Sequence, residues 1–125
     1  MNYKLFDAVK NADIDTVKQL IAEGVDVNLK DQWGKTALMV AAYWNQAEVG
    51  GILIENGADV NEKDYGGWTA LMCAANWDLT EIVELLLAHG ANVNEKDGCG
   101  RTALMCAVCG GHIKVVELLK QHGAT

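Results

Sequence analysis

The tetrapeptide Thr-Ala-Leu-Met stands at Thr36 to Met39, at Thr69 to Met72 and at Thr102 to Met105, so successive copies are 33 residues apart. The match widens around each copy. Asp31, Asp64 and Asp97 precede the Thr by five residues, Gly34, Gly67 and Gly100 precede it by two, and Gly57, Gly90 and Gly123 follow it by twenty-one. A fixed period of this length is the mark of stacked supersecondary units, each burying its apolar face on its neighbours rather than in one closed core.

With 125 residues, half of them apolar, the chain can bury a substantial core. Ten basic residues are scattered among seventeen acidic ones, for a formal charge of −7. That balance argues against nucleic acid, which is gripped through clustered Lys and Arg, and against an anionic membrane surface. No apolar run reaches the length of a spanning helix, and Met1 to Leu5 lacks the uninterrupted apolar stretch of a signal peptide. A cytoplasmic location is therefore expected. Four Cys without framework spacing fit reduced thiols. Nothing in the sequence implies a cofactor.

The first segment is a degenerate copy of the unit. Leu5, Ala8, Gly24, Asp26, Val27 and Asn28 fall one period before Leu38, Ala41, Gly57, Asp59, Val60 and Asn61. It reads as a capping unit, whose outer face meets water. In the full units each Thr can cap a first helix of roughly two turns through its hydroxyl. Leu38, Ala41 and Ala42, and likewise Leu71, Ala74 and Ala75, form a narrow face of small side chains. A second helix is expected near Asn45 to Glu48 and near Asp78 to Glu81, both with capping-box spacing. Gly57, Gly90 and Gly123 should end it in the left-handed conformation, with a short extended piece and a tight turn beyond.

The pattern Asp-x-x-Gly-x-Thr-Ala-Leu-Met-x-Ala-Ala, then a Val- or Leu-rich helix, then Gly-Ala-Asp/Asn-Val-Asn, resembles the ankyrin repeat over nearly the whole chain. The resemblance implies an all-α solenoid of helix-turn-helix units with projecting hairpin loops. It would be a single domain over 1–125, with repeats near 1–30, 31–63, 64–96 and 97–125. Two departures are systematic. Ala37, Ala70 and Ala103 stand where the family usually has Pro, and Met39, Met72 and Met105 where it usually has His. Ala begins a helix well. Losing the His removes a side chain that ties neighbouring loops in the family, which implies looser loops.

The resemblance also separates framework positions from variable ones on the loop tips and the exposed side of the first helix. Here those positions hold Trp33, Lys35, Tyr43 and Trp44, then Tyr65, Trp68, Asn76 and Trp77, then Cys99, Arg101 and Cys109. All four Trp and two of the three Tyr belong to this set. The plain alternative is that Trp is a core residue, but Leu, Val, Ile and Ala already fill the framework slots. Six aromatics at ~200 Å² each could supply ~1,200 Å², more than the ~800 Å² one partner gives to a standard interface. A non-enzymatic module is expected, binding a protein or extended peptide through an aromatic concave face. Trp33, Trp44, Trp68 and Trp77 would be anchors, Tyr43 and Tyr65 adaptable contacts, and Lys35 and Arg101 polar orienters.

Three local features carry other readings. Gly50 and Gly51 interrupt a second helix where other units have Val83 or Val116, so either a neighbour fills the space, or a small cavity remains, or the sequence was altered by engineering. Cys99, Cys106, Cys109 and His112 have zinc-like spacing, but His112 is expected across a turn from the helical Cys pair, so no metal is assigned. The same residues support the alternative function, a small-molecule or catalytic site with Cys106 or Cys109 as nucleophile beside the Trp wall. A monomer is expected, with self-association the alternative, since Val115, Val116, Leu118 and Leu119 belong to a last unit without a polar cap after it.

Overall fold

The Thr hydroxyls do cap the first helices. In the computed structural model, which describes residues 4–125, Thr36, Thr69 and Thr102 take extended backbone angles. Each Oγ1 accepts from the backbone N–H of the Met three residues on, at 3.3 to 3.4 Å. Among the described residues eight helices follow one another in pairs: α1 (Lys4–Lys10) and α2 (Ile14–Ala22), α3 (Ala37–Tyr43) and α4 (Ala47–Glu55), α5 (Ala70–Asn76) and α6 (Thr80–Ala88), α7 (Ala103–Gly110) and α8 (Ile113–Gln121). Among the described residues there is no strand.

The helices form two layers. The first helices α1, α3, α5 and α7 pack in succession, and the second helices α2, α4, α6 and α8 pack behind them. Ala41, Ala42, Ala74, Ala75 and Ala107 of the first helices are almost wholly buried, and their lack of bulk lets neighbouring helices approach. The first layer is the more closely packed. Leu53, Val83, Leu86, Val115 and Leu119 fill the space behind, in one continuous core.

Each second helix of the full units ends as its glycine dictates. Gly57, Gly90 and Gly123 have positive φ, and the following Ala58, Ala91 and Ala124 N–H groups reach back to the carbonyls of Leu53, Leu86 and Leu119. The helix starts differ from expectation. Asn45 and Asp78 do not form capping boxes; they take left-handed φ values of 57° and 58° in the tight link between paired helices. The N-cap positions fall to Gln46 and Leu79, which make no side-chain cap bond. Short Asn and Asp side chains tolerate the left-handed region, and closing a link this short demands it. Gly111 occupies the same place in the last unit, with φ 70°.

The loops are tied despite the Met for His exchange. Asn28, Asn61 and Asn94 each bridge to the next unit, accepting from the backbone N–H of Asp59, Asn92 and Thr125 and donating to the carbonyls of Gly57, Gly90 and Gly123. Lys30 and Lys63 donate to the carbonyls of Lys63 and Lys96. The Met side chains themselves pack between units, with Met39 and Met72 buried.

In the last pair, Val115 and Leu119 point into the core and Val116 and Leu118 are half-buried. The uncovered apolar side chains are instead Met105, Val108 and Ile113. Met105 is 48% exposed while its equivalent Met72, covered by the next repeat, is 1% exposed.

The space above Gly50 is occupied. A Cβ there would touch Leu85 Cδ2 at 3.4 Å, Leu38 Cδ1 at 3.7 Å and Ala41 Cβ at 3.8 Å, whereas one on Gly51 would meet nothing within 4 Å. One methyl fits at Gly50 in ordinary van der Waals contact with Leu85, Leu38 and Ala41. Gly51→Ala and Gly50→Ala should each raise unfolding free energy by about 1 kcal/mol. Gly50→Val should fall short of Gly50→Ala through crowding. Urea denaturation of the three variants measures the order.

Candidate functional site

Three loops project from the first-helix side, each closed by an aspartate. One carboxylate oxygen of Asp31 accepts from the N–H groups of Trp33 and Lys35, both at 2.9 Å. Asp64 does the same for Gly66 and Trp68, and Asp97 for Cys99 and Arg101. A backbone bond from each Asp N–H to the carbonyl four residues on completes the finger. The fingers overlap. Tyr65 N–H donates to the Trp33 carbonyl at 3.1 Å, and Gly98 N–H to the Gly66 carbonyl at 3.0 Å. Gly34 and Gly67 are required at this overlap, since a Cβ on Gly34 would lie 2.7 Å from the Tyr65 ring and one on Gly67 2.8 Å from the Gly98 nitrogen.

Five of the six aromatics at the variable positions are exposed: Trp33, Tyr43, Trp44, Tyr65 and Trp77 range from 47% to 74%. Trp33 and Tyr65 stand on the finger tips, and Tyr43, Trp44 and Trp77 at the ends of α3 and α5. Tyr43 meets Trp44 edge-to-face at 5.5 Å and Trp77 at 6.3 Å, which joins neighbouring repeats in one aromatic row. Lys10 extends the row, its ammonium 4.8 Å from the Trp44 ring.

Trp68 departs from this pattern. It is half-buried against the core, with the Arg101 guanidinium 5.6 Å above its ring. The framework slots do not exclude it, because the finger folds its indole back over the stack. Asn76 is half-buried, and its carbonyl accepts from His112 Nε2 at 3.1 Å. Cys99 lies exposed on the third finger, and Cys109 exposed near the end of α7.

A groove of about 320 Å³ opens beneath the aromatics, lined by Asp31, Trp33, Lys35, Met39, Val40, Tyr43, Trp44 and Cys73. A second hollow of about 270 Å³ lies beside it, lined by Phe6, Asp7, Asp31, Gln32 and Trp33. Sequence reasoning missed Met39, Val40 and Cys73 as lining. The available signal was that Val40 and Cys73 are equivalent positions at which the units differ.

Lys35 and Arg101 are engaged with carboxylates. Lys35 Nζ lies 2.9 Å from Asp64 Oδ2, and Arg101 Nε lies 2.9 Å from Asp97 Oδ2. Burial alone would raise the Asp64 carboxyl, but the Lys35 hydrogen bond and the Trp68 and Gly66 N–H groups hold it below the usual carboxylate range. The Arg101 backbone N–H, with that of Cys99 and the guanidinium, does the same for Asp97.

The two buried thiols are poorly suited to nucleophilic chemistry. Burial pushes Cys73 up to about 11 and raises Cys106, so both stay protonated at neutral pH. The ring nitrogens of His112 face the preceding repeat, Nε2 donating to Asn76 and Nδ1 lying 3.8 Å from Asp78. Among the described residues no three His, Cys, Asp or Glu side chains are grouped to hold a metal ion. Nor is any of their helices long and apolar enough to cross a membrane.

A family model for three copies of the ankyrin repeat matches residues 5–97, and one for many copies matches residues 79–119. Comparison with curated proteins gives no match.

A carboxylate with a lowered folded value contributes stability that is whole above about pH 4 and is lost as the pH falls through that lower value. Asp64→Asn keeps the amide-accepting oxygen and removes the titration. The wild-type chain should therefore lose unfolding free energy between about pH 4 and pH 2 more steeply than Asp64→Asn. Denaturant titrations across that range read the difference in slope.

Proposed function

Because the chain belongs to the ankyrin-repeat family, whose repeats are generally protein interaction modules, we propose that it is a non-enzymatic module binding a protein or extended peptide on its finger and first-helix face. The observation that carries this reading is the exposed row of Tyr43, Trp44 and Trp77, flanked by Trp33 and Tyr65. Large exposed aromatics in one contiguous patch incur a hydration cost that a partner relieves. Their few torsions also make them economical contacts.

Trp33, Trp44 and Trp77 are the anchors, and Tyr43 and Tyr65 provide hydroxyls at the rim. Trp68 supports the third finger from below rather than meeting the partner flat on. Lys35 and Arg101 act chiefly by holding the fingers in place, since each is bound to a carboxylate. Asn76, Cys99 and Cys109 lie at the far edge of the same face. Protonated buried thiols and a His112 turned to the preceding repeat favour binding over Cys-based catalysis.

Photo-crosslinking tests the location. A benzophenone side chain at Tyr43 should capture the partner, and one at Glu84, exposed on α6, should not. Trp44→Ala with Trp77→Ala should weaken binding at least about a hundredfold, the loss of two hot-spot side chains at ~2 kcal/mol each being ample for this. Unchanged affinity in the double variant, with a retained unfolding midpoint, removes the aromatic face from the binding site.

A further inference from the structure

The three finger aspartates are chemically equivalent in the repeat but not in their pairing. Each spends Oδ1 on two backbone N–H groups. The second oxygen of Asp64 takes Lys35, and that of Asp97 takes Arg101. Asp31 Oδ2 takes no cation among the described residues. The reason lies in the register. Residues 35, 68 and 101 are equivalent, and Lys35 reaches forward to bond Asp64 in the next finger, while staying close enough to Asp31 to feel its charge. One period before Lys35 the sequence has the uncharged Asn2.

Asp31 also lies where a cation would be held well. It lines both hollows together with Trp33, Tyr43 and Trp44 line the first beside it, and Asp7 lines the second. Among the described residues one arginine is already shared by a carboxylate of its own finger and an indole of the preceding finger. Arg101 is bound by Asp97 Oδ2 at 2.9 Å while its guanidinium lies 5.6 Å from the Trp68 ring. Lys10 over Trp44 is a second case of an indole drawing an ammonium. Lys35 also lines the first hollow, but its hydrogen bond goes to Asp64 and its charge is matched there. The chain as a whole carries −7, so a basic partner is drawn toward it from a distance.

We propose that Asp31 and Trp33 form a seat for an arginine side chain of the bound partner, the guanidinium bonding to Asp31 Oδ2 and lying over the indole, the two kinds of contact that Arg101 makes with Asp97 and Trp68. This rests on the finger face being the binding face, and it specifies the partner as a basic segment. A planar guanidinium suits the seat better than an ammonium, because it can bond in its plane and stack across it.

The test uses the intact chain and three synthetic peptides alternating serine with arginine, with norleucine or with glutamate, read by tryptophan fluorescence and calorimetry. The arginine peptide should bind at least about tenfold more tightly than the norleucine peptide, and more salt in the buffer should narrow the gap. Asp31→Asn keeps the finger's amide acceptor and should bring the arginine peptide to the norleucine level. Glu84→Gln, an equal change of net charge on the opposite layer, should leave the ratio near its wild-type value. The ratio between peptides is unaffected by a general loss of stability, which the unfolding midpoint records separately. Equal binding of arginine and norleucine peptides, or an unaltered preference in Asp31→Asn, overturns the seat. If both peptides bind equally and Trp44→Ala weakens both, the aromatic face survives and only the seat falls. If no peptide binds, the seat falls, and the face stands or falls by the crosslinking experiment.

Discussion

No repeat of this chain can bury its apolar surface alone. Two short helices offer one narrow face forward and one backward, and only a neighbouring repeat can cover them. Everything regular in the sequence serves that condition. The alanines at 41, 42, 74, 75 and 107 let first helices approach, and the leucines and valines of the second helices fill what remains. Met72 and Met105 show the dependence directly, for the same residue in the same place is buried under a neighbour in one repeat and uncovered in the other.

The polar residues obey a second condition, that loop amides without a helical or sheet partner must be satisfied locally. The finger aspartates and the ladder asparagines meet it at fixed places one period apart, leaving the tips free to vary. This division lets Trp33 and Tyr65 be large and exposed without disturbing the stack. It also explains why Lys35 and Arg101 differ in direction while the fingers around them do not: one carboxylate oxygen is committed to the backbone amides and the second is open to whichever cation reaches it.

Much of the fold was legible because period, cap and terminating glycine are local signals. Thr36 and its equivalents, and Gly57 and its equivalents, behave as their chemistry requires. Asn45 and Asp78 were misleading because cap spacing and left-handed backbone favour the same short side chains, and only the length of the link decides between them. Trp68 was misread because a finger residue can fold its ring back onto its own stack, a tertiary outcome with no periodic trace. The filling above Gly50 depends on Leu85 from the next repeat, and the pairing of Lys35 on Asp64 from the next finger. Both are contacts across the period. A sequence read one unit at a time shows what each unit contains, not which neighbour reaches into it.

The asparagine ladder gives the stack a mechanical grain. Asn28, Asn61 and Asn94 each clasp the helix end of the following repeat through two hydrogen bonds, so every junction carries the same small polar clasp beside its apolar contact. Tension along the chain would meet these clasps in series rather than together.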